Sequence, residues 1–463
     1  MRIRSLVIAA LGVFLLLRCA AGAEGALYPV RENGKWGYMD RAGQTVIPPK
    51  WADAAPFLDG AAAVTDEEQN IRLIDTQGRL LGDEVYDVCG PQTPFCLLFG
   101  RYGPDGRALW GWYDRQSGHL EACRYTVLRD CETDCGLILA QWQDEGGAGR
   151  TAFLRRDTGE VAFFVEPDGE LMSGGRFCEG YAYLAIETDV FNALLIDETG
   201  RKVTLPEGLY PASGVRDGVL AVTDASGGCG VARPDGTVVR LPENIYIDGF
   251  SEERAFFYPA GGAYDVAGIL DTEGRTVAEP RWTLDGGWYG GSDPGFHNGY
   301  AVLLTLTDRN TAHDEYVILD RDGREVYRHR ASPDDGTVLL LQSRVMPGGL
   351  LWYRLSSKDE AKYGLLLISG GRTEDLTGPV FDGVCGIKDG DPKYFYDSSL
   401  RFSEGLCPVC RDGRWGYIDA LGETVISPAW DKAADFRDGL AQVYIGDRIC
   451  YIDPAGTVVW EEK

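Results

Sequence analysis

The sequence has few of the residues on which most active sites and metal centres depend. It contains four His, at His119, His297, His313 and His329, and none has partners at metal-ligand spacing. No Gly-rich phosphate loop stands between a strand pattern and a helix pattern. We therefore predict a chain that is not an enzyme, with no catalytic, cofactor-binding or metal-binding residues.

Long apolar runs are absent after the N-terminus. The first one, Leu6–Leu17, has 12 residues, too few to cross a bilayer, and it lies between two early Arg and the small-residue segment Ala21–Ala23. This order predicts a signal peptide over residues 1–23 and an extracytoplasmic protein, secreted or in the cell envelope. Lipoprotein anchoring through Cys19 stays a minor alternative, although Arg18 directly before it disfavours lipid attachment.

Positive charge is scarce, with 45 Lys and Arg against 71 Asp and Glu and a net charge of −26. Residues 1–23 carry three Arg and no acid, so the mature chain would have −29. Such a field repels nucleic acid and anionic lipid, and we expect no nucleic-acid partner and no membrane span in the mature chain. The charge could favour cationic partners, or it could simply be a solvated acidic surface.

Cysteine is too sparse for a disulfide-stapled scaffold. There are 12 Cys, an odd 11 after cleavage. The pairs Cys407/Cys410 and Cys131/Cys135 have spacings compatible with a local disulfide or a metal pair. However, Cys407 occupies a position that is Ala in other copies of the repeat described next, which favours a small core thiol.

The two ends of the chain carry matching blocks. Gly34–Pro48 and Gly413–Pro428 share the pattern Gly-x-Trp-Gly-Tyr-x-Asp, then Gly-x-Thr-Val-Ile. Each is followed by a block of the form Phe-x-Asp-Gly-x-Ala-x-Val, at Phe57–Val64 and Phe436–Val443. Weaker copies between them give ten or eleven units of about 40 residues. Self-similarity with this period is typical of a solenoid, a propeller or an array.

These blocks resemble the WG-repeat family, which is named for its Trp-Gly pair. Full matches are Trp36-Gly37, Trp110-Gly111 and Trp415-Gly416, and the resemblance extends unevenly over most of the mature chain. It implies bacterial-type repeat architecture far more than any activity.

Each unit is expected to form three short strands. The first carries Gly-x-Ala-x-Val, the second Trp-Gly-Tyr-Ile-Asp, and the third Thr-Val-Ile, which Pro48 or Pro428 would end. Between the second and third strands, an Asp-x-x-Gly element closes a tight hairpin. We expect Trp36 and Trp415 to be buried between neighbouring units.

The predicted fold is therefore all-β. It is a tandem array of about ten or eleven three-stranded antiparallel β-meanders over residues 24–463. Residues 331–400 are the most degenerate and a possible joint. Because ten units exceed the usual four to eight propeller blades, we favour an open, curved or superhelical array. The alternative is a closed, propeller-like ring or rings.

Loops between the first and second strands vary most in length. The long ones are Asp144–Arg150, Asp308–Glu315 and Ser356–Lys362, and insertions of this kind often mark the binding edge of a repeat array. We expect an exported, non-catalytic surface that binds protein, peptide or glycan, or serves as a scaffold. The alternative is a hydrolase with its site in a propeller-like channel.

Overall fold

A computed structural model of the chain describes residues 25–463, apart from 59, 94, 132–134, 166–170, 187–192, 243–244, 260–265, 285–294, 307–313, 331–337, 358–359, 386 and 389–399. In these described ranges every regular element is a strand, as predicted. That part of the chain has no helix suited to crossing a membrane. The predicted signal peptide at 1–23 lies outside the described residues.

In the described residues, forty-one strands form eleven antiparallel sheets, numbered here in chain order. Sheets 1 to 4 contain β1 Tyr28–Glu32, β2 Lys35–Met39 and β3 Thr45–Trp51; β4 Asp53–Ala54, β5 Ala61–Thr65 and β6 Ile71–Asp75; β7 Val88–Gln92, β8 Cys96–Tyr102, β9 Ala108–Asp114 and β10 Leu120–Tyr125; β11 Val127–Asp130, β12 Leu137–Gln143, β13 Gly149–Arg155 and β14 Val161–Phe164.

Sheets 5 to 8 contain β15 Leu171–Cys178, β16 Tyr181–Ile186 and β17 Ala193–Asp197; β18 Leu209–Pro211, β19 Leu220–Asp224, β20 Cys229–Ala232 and β21 Val238–Arg240; β22 Ile245–Ile247, β23 Arg254–Pro259, β24 Val266–Asp271 and β25 Thr276–Thr283; β26 Tyr300–Leu306, β27 Asp314–Asp320 and β28 Glu325–Arg330.

Sheets 9 to 11 contain β29 Val338–Leu341, β30 Leu350–Ser356, β31 Ala361–Ser369 and β32 Arg372–Asp375; β33 Gly383–Val384, β34 Ile387–Lys388, β35 Leu406–Arg411, β36 Arg414–Asp419 and β37 Thr424–Trp430; β38 Lys432–Ala433, β39 Ala441–Ile445, β40 Arg448–Ile452 and β41 Val458–Glu461.

Most sheets have one strand more than the sequence predicts. The predicted three-strand count holds for sheets 1, 2, 5 and 8, whereas six sheets have four strands and sheet 10 has five. In most of the larger sheets the addition is a leading strand, which comes before the first repeat strand and pairs with it. Leading strands such as β38 have only two residues, too few to show alternation in the sequence.

The Gly of the Trp-Gly pair is required because the third strand crosses directly over it. A Cβ on Gly416 would lie 2.4 Å from the carbonyl oxygen of Ile426, and Gly37 has the same clash with Ile47. The pairing register shifts at both places, which marks a bulge. The third strand therefore continues past Pro48 to Trp51, and the expectation that Pro48 ends it is wrong.

Hydrophobic cores lie between neighbouring sheets, as stacking of repeats requires. Trp415 of sheet 10 is 3% exposed and shares a core with Phe436 of sheet 11, which confirms its predicted burial. Trp36 is only half-buried, between the core shared by sheets 1 and 2 and the core shared by sheets 1 and 11.

The last sheet packs against the first, so the array is closed. One core joins residues of sheet 1 to residues of sheet 11, namely Tyr28, Val30 and Met39 with Leu440, Ile449 and Tyr451. Across this contact the Tyr451 hydroxyl donates to the carbonyl of Pro29 at 2.8 Å, and Arg31 pairs with Glu462 at 2.7 Å.

The fold is therefore a propeller-like ring of eleven sheets, which was the alternative to the open array that we favoured. To close the ring, each of the eleven sheets must be rotated by about 33° from its neighbour about the ring axis. A sequence pattern does not encode that angle.

The degenerate stretch 331–400 keeps the same construction where it is described. Sheet 9 is a regular four-stranded meander, and Trp352 and Tyr363 share a core with Val384 and Cys407 of sheet 10. The repeat structure is therefore kept here although the repeat sequence is not. A joint within this stretch stays a prediction.

Candidate functional site

The two edges of the sheets carry different sets of connections. The turn edge carries the Asp-x-x-Gly turns and the turns between leading and first strands. The loop edge carries the loops between the first and second strands. In an antiparallel meander these sets of connections lie at opposite ends of the strands.

On the turn edge, the predicted Asp-x-x-Gly turns are confirmed. In each, the Asp side chain accepts N–H bonds from the residues two and four positions later, and the Gly N–H donates to the Asp carbonyl. In the first turn, Asp40 accepts from Ala42 at 2.9 Å and from Gln44 at 2.8 Å. Among the described residues, the seven turns of this type on the turn edge begin at Asp40, Asp75, Asp197, Asp271, Asp320, Asp419 and Asp453, and Asp144 and Asp224 begin the same turn on the loop edge.

A second set of acids links neighbouring sheets on the same edge. The turn before the first repeat strand has an acid or Asn with positive φ, as at Glu179 and Glu404, both with φ 51. The carboxylate of Glu179 accepts the N–H groups of Asp217 and Gly218 in the next sheet, at 2.7 and 2.8 Å. Asp217 in turn accepts the N–H of Glu253, one sheet further on.

The same contact recurs around the ring. Glu252 accepts the N–H groups of Asn298 and Gly299, and Glu404 accepts that of Gly439. We call the turns at residues 179, 217, 252, 298, 404 and 438 the acidic turn chain. The carboxylates of Glu179, Asp217, Glu252 and Glu404 accept N–H groups of the next sheet. This role was not predicted, although Glu179 and Glu404 occupy the Asp position of the repeated Phe-x-Asp-Gly block.

The histidines and metal-ligand types do not converge in the part of the chain described. No three His, Cys, Asp or Glu side chains come together there as a metal site. The His119 ring lies 3.0 Å from the Glu121 carboxylate and is tilted against the Trp112 ring, with ring centroids 6.0 Å apart. His329 lies in strand β28, His297 lies in the turn before β26, and His313 is outside the described residues.

Cys407 and Cys410 point to opposite sides of sheet 10. Cys407 belongs to the core shared with sheet 9, and Cys410 to the core shared with sheet 11. Two residues three apart on a strand face opposite ways, so these thiols cannot pair with each other. Both are buried core residues, which was the favoured interpretation for Cys407.

The loop edge is only partly described. Most of Asp308–Glu315 and part of Ser356–Lys362 lie outside the described residues. Asp144–Arg150 is described in full. Asp144 accepts the N–H groups of Gly146 and Ala148 and pairs with Arg150, and the bond from Ala148 does most to hold the pKa of Asp144 below its usual value. This loop is thus a rigid, structured turn at the top of sheet 4.

Below that loop, aromatic side chains collect between sheets 3 and 4. Trp142 meets Tyr125 edge-on, with ring centroids 5.8 Å apart, and lies 6.3 Å from Phe164. Trp142 is half-buried, and Phe164 is 54% exposed. We call Trp110, Tyr125, Trp142 and Phe164 the aromatic cleft.

Trp110 lies in sheet 3, paired with Tyr125 across neighbouring strands. A Cβ on Gly90 would lie 2.9 Å from the Trp110 indole, and a Cβ on Gly100 would lie 3.2 Å from it. The indole therefore packs directly against the backbone of these two glycines. Trp110 is two residues before Trp112, which packs against Ala140 of sheet 4. Because alternate residues of a strand share a face, Trp110 also faces sheet 4, on the side nearer the loop edge.

Polar groups border one side of the aromatic cleft. Arg124 donates to the Tyr125 hydroxyl at 2.9 Å, and that hydroxyl donates to Glu121 at 3.1 Å. Burial, with Glu121 beside it, raises the pKa of Tyr125 to about 12, so this phenol stays protonated at neutral pH. The cleft therefore combines flat apolar rings with fixed hydrogen-bonding groups.

Comparison with known proteins identifies the repeat. The family model described as WG containing repeat matches residues 36–68 and 415–448. No curated protein matches the sequence.

Three solved structures are similar in outline. The computationally designed Ika8 protein has a TM-score of 0.33 and 11% identity over 73% of this chain and 98% of its own. A eukaryotic initiation factor has a TM-score of 0.45 and 9% identity over 87% of this chain and 96% of its own. BamB from Moraxella catarrhalis has a TM-score of 0.25 and 12% identity over 64% of this chain and 94% of its own. With TM-scores this low, none of them carries over a function.

Proposed function

Because the chain is a WG-repeat protein closed into a ring of eleven sheets, we propose that it is an exported, non-catalytic binding scaffold. In this proposal the loop edge holds the partner and the turn edge holds the ring together. The aromatic cleft between sheets 3 and 4 is the observation that carries the proposal.

Trp142 packs at the margin of the core shared by sheets 3 and 4, but the packing of repeats does not require an aromatic residue at its position. It is the sixth residue after the turn glycine, Gly136, and the corresponding residues of sheets 2 and 11 are Asp66 and Ile445. Both corresponding residues lie at the loop edge, beyond the Val positions that fill the shared cores. A Trp placed where stacking needs no large side chain is a typical binding anchor.

The ligand that suits the aromatic cleft best is an extended peptide segment that contains proline. Proline-rich segments dock in aromatic-lined grooves, because their preformed extended helix loses little entropy on binding. The net charge of −26 favours association with a segment that also carries Lys or Arg. The proposed partner is therefore a basic, proline-containing protein segment.

The non-catalytic part of the proposal is supported by the turn edge. The acids described there are bonded to backbone N–H groups, in the Asp-x-x-Gly turns and in the acidic turn chain. Carboxylates committed in this way contribute to stability and are not poised for proton transfer.

Fluorescence anisotropy of labelled peptides tests the binding proposal. A Pro-rich peptide flanked by Lys should bind, and a version without Pro or with Glu flanks should bind more weakly. Replacing Trp142 by Ala should weaken binding by about 30-fold, the usual loss at a hot-spot residue. The matched control is Tyr246→Ala, which removes an exposed aromatic side chain from sheet 7 and should change nothing.

Two outcomes would overturn the proposal. If glycans on an array bind in a Trp142-dependent way and peptides do not, the ligand class is wrong. If Trp142→Ala and the wild type bind all ligands equally, the cleft is not the binding site.

Export is tested separately by N-terminal sequencing of the protein made in a secreting host. A mature chain that begins at Glu24 supports the proposed secretion. A lipid-modified chain that begins at Cys19 would replace it with membrane anchoring.

A further inference from the structure

Two thiols from different parts of sheet 10 meet at one place. The Sγ atoms of Cys385 and Cys407 are 3.1 Å apart, and both residues are reduced in the structure. Cys385 directly follows the leading strand β33, and Cys407 is the second residue of β35. The separation is about 1 Å longer than a covalent S–S bond of ~2.05 Å, so only small rotations are needed to join them.

The backbone holds Cys385 in an unusual conformation. Its φ is +48°, which is uncommon for a residue with a side chain, and its N–H donates to the carbonyl of Pro408 at 2.9 Å. That bond fixes Cys385 beside the strand that carries Cys407. Strained residues of this kind persist where surrounding contacts hold them, and here the result is a preformed pair of thiols.

The two thiols differ in access. Cys385 is half-buried, whereas Cys407 is fully buried, and burial raises the pKa of the Cys407 thiol. Cys385 is therefore the thiol that an external reagent reaches first. The reactive form of a Cys is the thiolate, and an accessible thiol ionises more readily than one in an apolar core.

We propose that Cys385 and Cys407 form a reversible disulfide by exchange with an external disulfide oxidant. The Cys385 thiolate attacks one sulfur of the oxidant, which releases a thiol and leaves a mixed disulfide. The Cys407 thiolate then attacks the Cys385 sulfur and releases the second oxidant thiol. Two protein thiols are oxidised, one external disulfide is reduced to two thiols, and the two protons end on those thiols.

The bond would add a covalent link at a short leading strand. Strand β33 has two residues, and only Gly383 and Val384 pair it with β35. The disulfide would tie this leading strand to the first repeat strand of sheet 10. Disulfides of this kind form in oxidising compartments, but the chemistry here does not depend on the proposed binding function.

Peptide mapping after alkylation tests the assignment on the full chain. The protein is treated with oxidised glutathione or with dithiothreitol, unreacted thiols are alkylated, and tryptic peptides are analysed by mass spectrometry. After oxidation we expect a linked pair that joins the Cys385 peptide to the peptide with Cys407 and Cys410, and about tenfold less alkylation of Cys385 than after reduction.

Cys410→Ala is the matched control, because Cys410 lies in the same tryptic peptide but faces sheet 11. The linked pair should persist in Cys410→Ala and disappear in Cys385→Ala. The proposal is overturned if wild-type Cys385 is alkylated equally in both conditions, or if the linked pair requires Cys410. The wild-type result decides this even if a variant at the buried Cys407 does not fold.

Discussion

Removing the ion pair between Arg31 and Glu462 should reveal how strongly the ring closes. Arg31 Nε and an Nη donate to the two carboxylate oxygens at 2.7 and 3.0 Å, with the side chains 33% and 11% exposed. A hydrogen bond to a charged group contributes about 1.5–3 kcal/mol when buried, and the partial exposure of Arg31 reduces this. We expect a coupling free energy of about 2 kcal/mol.

A double-mutant cycle isolates that coupling. The variants are Arg31→Met, which keeps the apolar stem beside Trp36, and Glu462→Gln, each measured by urea unfolding alone and together. The cycle is needed because Glu462 also accepts the N–H of Ile449 within sheet 11, so the single Glu462 variant should lose more than the pair contributes.

The control cycle is Arg448 with Glu461, which has the same 2.7 Å distance but is about half-exposed and lies within sheet 11. It should give about 0.5 kcal/mol or less. A coupling for Arg31 and Glu462 no larger than this control would refute the reasoning, because residues 431 positions apart couple only if the ends of the chain meet.

Three further predictions concern the repeat itself and its closure. Gly416→Ala should destabilise the protein by about 3 kcal/mol in urea unfolding, whereas Gly149→Ala, with open space around it, should change little. Trp415→Ala should cost about 3–5 kcal/mol and more than Trp36→Ala, because only Trp415 is fully buried; equal losses would contradict the burial difference. Hydrogen bonds from Arg31 hold the pKa of Glu462 below its ordinary 4.5. The ionised Glu462 should therefore contribute its full stabilisation above about pH 4.5 and lose it as the pH falls through the lowered pKa. If Glu462→Gln loses as much stability in acid as the wild type, this prediction is wrong.

Local structure could be predicted from the sequence because it depends on short-range chemistry. The Asp-x-x-Gly turns need only a side chain that accepts nearby N–H groups and a Gly with positive φ, and both are visible in the pattern. The bulge at Gly37, which carries the third strand past Pro48, was not predicted.

Long-range structure could not be predicted in the same way. Ring closure depends on a small angle between sheets, repeated eleven times, and no single residue determines it. The acidic turn chain joins residues such as Glu179 and Asp217, which are 38 positions apart, so no local pattern pairs them. The aromatic cleft could not be predicted from the repeat pattern, because Trp142 has no counterpart in the repeat.

The closed ring is tested most directly by distances between equivalent turns. Asn33, Asp412 and Asp447 lie in the corresponding loop-edge turns of sheets 1, 10 and 11, and all are exposed. Spin labels introduced as non-canonical amino acids at 412 and 447 give the distance between neighbouring sheets by pulsed electron spin resonance. The closed ring predicts the same distance for labels at 33 and 447. A distance for 33 and 447 that is much longer than for 412 and 447 would show an open array and contradict the account.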